Sequence, residues 1–141
     1  MPDTSCIVAA VSSWHEHHER AINEIQSRLK KRQKMIVAGH ALIEAYSVLT
    51  RLPAPHRISA QDASTLLLAN FVENVETVTL NPSGYTQLLE DAAHAGIFGS
   101  RIYDAVIAAS ARQARAGTLI TFNARHFQDL AGDDLEIVLP D

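Results

Sequence analysis

Cysteine is nearly absent from this chain. Cys6 is the only one in 141 residues, so no internal disulfide can form and no zinc-ligand spacing exists. A reducing compartment suits such a chain, and a cytoplasmic protein is expected. Long apolar runs are missing as well. Ile7 to Val11 is too short for a signal-peptide core and has no basic leader, and no stretch reaches the length that crosses a bilayer, so no membrane partner is expected. There is no glycine-rich phosphate loop and no nucleophile elbow. Repeats, low-complexity segments and linkers are also lacking, which leaves one domain spanning residues 1–141.

What is present describes a globular protein. Hydrophobic residues make up 47% and charged residues 20% of the chain, enough for a full core without staples. Net charge is -4, which argues weakly against nucleic acid. The charge is unevenly spread. Arg28, Lys30, Lys31, Arg32 and Lys34 are five of the 12 basic residues, so the rest of the chain is strongly acidic. This basic cluster is best read as the exposed end of a helix, where cations complement the dipole.

Apolar periodicity alternates between helix and strand. Thr4 or Ser5 is positioned to cap a short helix through Val11. A second helix is predicted over His15–Lys31, with Ala21, Ile22, Ile25 and Leu29 at helical spacing, and Trp14 is expected to anchor its start on the core. Met35–Ala38 reads as a buried strand, and Ala41–Leu52 as a helix ended by Pro53 and Pro55. Ser59 and Asp62 form a capping box for a helix to Val72. Val75–Leu80 alternates as a strand, and Asn81-Pro82 opens a helix that stops at Gly96. Gly99 and Ser100 read as a turn and a cap before a helix from Arg101 to about Ala116. Thr118–Thr121 and Leu135–Leu139 read as strands, with a short helix between them. Such alternation predicts an α/β domain with a mostly parallel sheet and helices on both faces. Sites in these sheets lie just beyond the carboxyl ends of the strands.

Three acidic residues fall there amid apolar neighbours. Asp3 follows a truncated first strand, Glu44 sits within Ala41–Leu49, and Asp104 heads an apolar helix. Each alone has an ordinary explanation as a cap or as the partner of an arginine, and Arg51, Arg101 and Arg112 are available. Three together favour a shared site, because an unpaired charge among buried chain is costly. Clustered carboxylates repel, and a hard divalent cation relieves that repulsion. Oxygen donors with no His or Cys nearby select Mg²⁺ or Mn²⁺. Such an ion lowers the pKa of a bound water and stabilises charge in an in-line displacement at a phosphodiester. Asn123, after the Thr118–Thr121 strand, offers a fourth and weaker oxygen, and it also suits a helix N-cap.

In order and spacing these motifs resemble the PIN-domain nucleases, and among them the VapC toxins of bacterial toxin–antitoxin pairs. The resemblance is carried by Asp3-Thr4-Ser5, the interior Glu44, Tyr103-Asp104-Ala105 and Thr121-x-Asn123-x-Arg125-His126-Phe127, and it runs nearly end to end. It implies a Rossmann-like PIN fold and Mg²⁺- or Mn²⁺-dependent endoribonuclease activity. It also implies an RNA substrate, transfer RNA among the candidates, a homodimer and a VapB-type antitoxin. Asp3, Glu44 and Asp104 match the family's acidic positions, and Asn123 stands where many members carry an aspartate. Arg101, Arg125 and His126 flank the acids as candidates for holding RNA phosphates.

Other signals point elsewhere. His15-Glu16-His17-His18 is not a zinc-protease motif and reads as a solvated helix start; Tyr46 and Tyr103 read as core. A phospho-receiver domain also gathers acids at strand ends. It requires an aspartate after its middle strand and a late lysine, whereas Leu80-Asn81 follows the third strand here and no lysine comes after Lys34. The remaining alternative is a PIN-fold scaffold that binds RNA or a partner without cutting.

Overall fold

In the computed structural model, which describes residues Met1–Asp141, the opening apolar stretch is helical over Thr4–Val11 (α1), and Cys6 to Ala10 are all buried. Neither Thr4 nor Ser5 caps it. The cap is Asp3, whose carboxylate accepts the Cys6 amide at 2.8 Å. The next helix, α2, spans His18–Lys30, and residues 13–17 form turns ahead of it. Arg28 and Lys30 occupy its last turn, as the dipole favours. Strand β1, Ile36–Ala38, is buried throughout and runs directly into α3, Gly39–Arg51. A Cβ on Gly39 would stand 3.1 Å from Thr79 Cγ2, so the residue that turns this strand into helix must be small.

Ser59 caps α4, Ala60–Leu67, by accepting the Asp62 amide at 3.0 Å. The predicted single helix to Val72 is not continuous, because Leu68–Val72 winds into a π-helical turn. Strand β2, Glu76–Val78, precedes α5, Pro82–His94, which Asn81 caps through the Gly84 amide at 2.7 Å. Gly99 takes φ +61° in the turn before α6, Arg101–Gln113. Ser100 does not cap that helix: it already has helical angles and makes no side-chain cap bond. Strand β3 is Thr118–Ile120, α7 is Ala124–Phe127 and β4 is Glu136–Val138.

All strand pairing is parallel. β1 pairs with β2, Val37 opposite Thr77, and β3 pairs with β4, Leu119 opposite Ile137. Residues 1–3 lie along β3: Pro2 bridges Ile120, the Asp3 amide donates to the Ile120 carbonyl at 2.9 Å, and the Ile120 amide donates to Met1 at 2.8 Å. Helix α1 packs on α2 and α3, and α6 packs on α5 and α7. Ile7, Val37, Leu49, Ile107, Leu119, Ile120 and Phe127 are fully buried at the centre, each worth about 1.5–3 kcal/mol of burial. Ala105, Ala108 and Ala111 line the buried face of α6 and let it approach closely. No helix is long and apolar enough to cross a membrane.

Candidate active site

Asp3 is built into the fold more tightly than any other acid. It is 2% exposed. Its Oδ1 accepts the Cys6 amide at 2.8 Å and the Ser5 hydroxyl at 2.7 Å, and its Oδ2 accepts the Thr121 hydroxyl at 2.6 Å. Ser5 and Thr121 are held in turn, accepting the amides of Phe122 at 3.0 Å and Asn123 at 2.8 Å. The end of β3 and the start of α1 are thereby laced together through one carboxylate. Burial pushes the Asp3 carboxyl from its ordinary 3.8 up to about 6, against the pull of the hydrogen bonds from Thr121, Cys6 and Ser5, and the charge of Asp104 adds to the push.

Glu44 rides on α3 beside the buried stripe Ala41, Ala45 and Leu49, and it accepts the Thr4 hydroxyl at 2.6 Å. Asp104 lies in the first turn of α6. Its Oδ2 is 3.2 Å from Nδ1 of His126. Burial raises the Asp104 carboxyl above the usual carboxylate range and the charge of Glu44 adds to the rise, while His126 and Arg101 oppose it. Asn123 occupies the N-cap position of α7, yet its side chain makes no cap hydrogen bond, so the helix-cap reading of that side chain does not hold.

Asp3, Glu44, Asp104 and Asn123 all line one open cavity of about 430 Å³. The sequence-predicted quartet is thus gathered at the carboxyl ends of the strands, where the fold places sites. It is not gathered to direct-ligand distance: no three carboxylate or imidazole groups converge on a common point. Each acid is instead tethered by its own donor, Thr121 and Ser5 for Asp3, Thr4 for Glu44 and His126 for Asp104. The four side chains offer only oxygen ligands and two of the carboxyls are pushed towards protonation, which fits Mg²⁺ or Mn²⁺. The expectation of no histidine nearby does not hold, since His15 and His17 line the cavity and His126 touches Asp104. Mg²⁺ is ordinarily held through one or two carboxylates with several waters retained, which suits a cavity wider than a closed cage.

The family model described as the PIN domain matches residues 1–133. The chain belongs to the PIN-domain family. It is 39% identical over 118 residues to Ribonuclease VapC40 of Mycobacterium tuberculosis, covering 84% of this chain and 82% of that protein. Among solved structures, this PIN domain resembles VapBC2 from Rickettsia felis, determined bound to a promoter DNA fragment. The TM-score is 0.68 at 19% identity, covering 100% of this chain and 98% of that one. It likewise resembles Mycobacterium tuberculosis VapC20, described as a sarcin-ricin loop cleaving toxin. There the TM-score is 0.67 at 19% identity, covering 93% of each chain. These two likenesses concern the fold.

Around the PIN-domain acids the other expected residues are differently placed. His126 reaches Asp104, and Arg101 approaches the His126 carbonyl at 3.5 Å. Arg125 is exposed and does not line the cavity. Trp14 does not anchor in the core: it is 42% exposed and stacks on His56. His15 and His17, read from sequence as a solvated helix start, line the cavity together with Phe122. Thr4, Ser5 and Thr121, which the sequence offered only as cap candidates and as members of the motifs around Asp3 and Asn123, are the groups that orient the acids.

Proposed function

We propose that this protein is a divalent-metal-dependent endoribonuclease, the toxin of a toxin–antitoxin pair. The observation that carries the reading is the common cavity of Asp3, Glu44, Asp104 and Asn123, in a PIN-domain chain 39% identical to a ribonuclease. Asp3, Glu44 and Asp104 are the residues that would hold Mg²⁺ or Mn²⁺, with Asn123 as a weaker oxygen donor. The ion supplies charge stabilisation at the phosphate and activation of the attacking water. The chain's own residues do the positioning. Thr121, Ser5 and the Cys6 amide fix Asp3 in one orientation, and Thr4 holds Glu44 towards the same cavity. His126 holds Asp104 and offers a donor at its edge, where an RNA phosphate approaching the acids passes.

A VapB-type antitoxin is the proposed partner, supported by the relation to VapC40 and by the resemblance to VapBC2. A homodimer is proposed through α3 and the neighbouring π-helical turn, which leave Ile43, Tyr46, Leu68 and Val72 exposed. The deciding experiment is RNA cleavage by the wild type and by Asp104→Asn, with Mg²⁺ or Mn²⁺ and with EDTA. Asp104→Asn keeps the shape of the side chain and removes its charge. Cleavage is expected only in the wild type with metal, and the variant is expected to melt no lower than the wild type in EDTA. A folded Asp104→Asn protein cutting RNA at the wild-type rate would overturn the assignment. RNA binding by the wild type with no metal-dependent cleavage would favour the non-catalytic scaffold.

A further inference from the structure

A row of rings runs from His56 through the turn between α1 and α2 to Phe122, which packs against the core. Trp14 stacks on His56 with centroids 4.2 Å and planes 30° apart. His15 follows at 5.7 Å from Trp14, and His17 at 5.5 Å from His15. His17 then stacks on Phe122 at 4.5 Å and 18°. The Arg20 guanidinium lies 5.4 Å over the Phe122 ring. One end of the row enters the acidic cavity, which His15, His17 and Phe122 line alongside Asp3, Glu44 and Asp104. At the other end Trp14 stands 42% exposed.

The hydrogen bonds of the row fix its chemistry. The His17 amide donates to Nδ1 of His15 at 3.1 Å, and Arg20 contacts Nδ1 of His17 at 3.3 Å. An amide and a guanidinium can only donate, so Nδ1 accepts in both rings and each proton sits on Nε2. Both imidazoles present flat faces, and each keeps an Nε2 donor, that of His17 3.7 Å from the Glu16 carboxylate. Flat rings are good partners for nucleobases, which stack on aromatic faces and accept hydrogen bonds at their edges. Only Val8 and Val48 supply aliphatic lining to the cavity, which favours bases over the apolar face of a peptide helix.

We propose that Trp14, His15, His17 and Phe122 form the base-stacking subsite for a single-stranded RNA substrate, seating unpaired nucleobases beside the phosphate that faces the acids. The proposal rests on the ribonuclease reading, and its test reads binding without cleavage. Trp14 is the only tryptophan, so its emission reports on the row directly. The Asp104→Asn protein is titrated with a fluorescein-labelled, random-sequence single-stranded oligoribonucleotide, and separately with an abasic strand of the same length. Anisotropy reads binding, and tryptophan emission reads stacking.

The expected result is quenching of Trp14 in step with binding of the base-bearing strand, and none with the abasic strand. Adding Trp14→Ala should weaken binding of the base-bearing strand about tenfold and leave the abasic strand unchanged, with Trp14→Phe restoring affinity. Binding without quenching, an unchanged affinity in Trp14→Ala, an equal loss for both strands, or no binding of either strand would overturn the proposal. So would a loss confined to binding of the co-expressed antitoxin, which would assign the row to a protein partner. A wild-type protein that cleaves RNA while Trp14 stays unquenched in the silenced variant removes the subsite and leaves the ribonuclease reading standing.

Discussion

Replacing Asp3 with asparagine should stabilise the protein at neutral pH when no metal is present. Asp3 is 2% exposed, and burial raises its carboxyl from 3.8 to about 6. The folded chain therefore binds this proton more tightly than the unfolded one. Stability falls as pH rises between those two values and stays at its lower level above 6. At about 1.36 kcal/mol per pH unit, holding Asp3 ionised costs the fold about 3 kcal/mol. Asparagine carries no charge and avoids that cost. With its oxygen kept at the Oδ1 position, its nitrogen cannot accept from the Thr121 hydroxyl, a loss of roughly 1 kcal/mol. The net gain is about 2 kcal/mol at pH 7.5, or roughly 4–8 °C in melting temperature for a domain of this size. Thermal unfolding followed by circular dichroism in EDTA at pH 7.5 and pH 4 reads the difference. At pH 4 the wild-type carboxyl is protonated in the fold, the ionisation cost is nearly gone and the lost hydrogen bond remains, so the gain should vanish or turn into a small loss. Added Mg²⁺ should raise the wild-type melting temperature and narrow the gap at pH 7.5, because a ligand of the folded state stabilises it. A variant less stable than wild type at pH 7.5, or an equal gain at both pH values, would refute burial as the governing effect.

Two further outcomes follow from the site and the surface. Asn123 adds no charge to a cavity lined by the carboxylates of Asp3, Glu16, Glu44 and Asp104, so Asn123→Asp should tighten Mn²⁺ binding without RNA, and Asn123→Ala should cost less activity than Asp104→Ala. Calorimetric titration beside cleavage rates measures both, and an Asn123→Ala protein with unchanged affinity and rate would leave the site to the carboxylates alone. Light scattering should find a dimer that Ile43→Glu dissociates, since Ile43 is 72% exposed on α3; a monomer at high protein concentration would count against that assembly.

The acids were legible in the sequence because each stands among apolar residues, where a charge without a purpose is expensive. Asp3 lies beside the end of β3 and Glu44 rides on the helix that follows β1, whereas Asp104 follows no strand and reaches the cavity from the first turn of α6. The tethers were not legible. Thr4 and Ser5 look like helix caps, but Asp3 takes that role, and the two hydroxyls bind carboxylates instead. The ring row was invisible for a different reason. Trp14, His56 and Phe122 are far apart in the chain, and no local period joins them. The missed break at Leu68–Val72 is of a third kind: an apolar run there supports an α-helix and a π-helical turn equally well, so packing decides between them.

The pairing of residues 1–3 with β3 has a consequence for how the protein is made. Asp3 is synthesised well before its Thr121 partner, which comes 118 positions later. Glu44 and Asp104 are also synthesised before the strand that holds Asp3 in place. A growing chain therefore carries all three acids without the ladder that fixes the first of them, and contacts of such long span form late. On the ribonuclease reading, cutting ability appears only once β3 and Thr121 have folded back onto residues 1–3. Until then the three acids are present in the nascent chain but not yet assembled into one site.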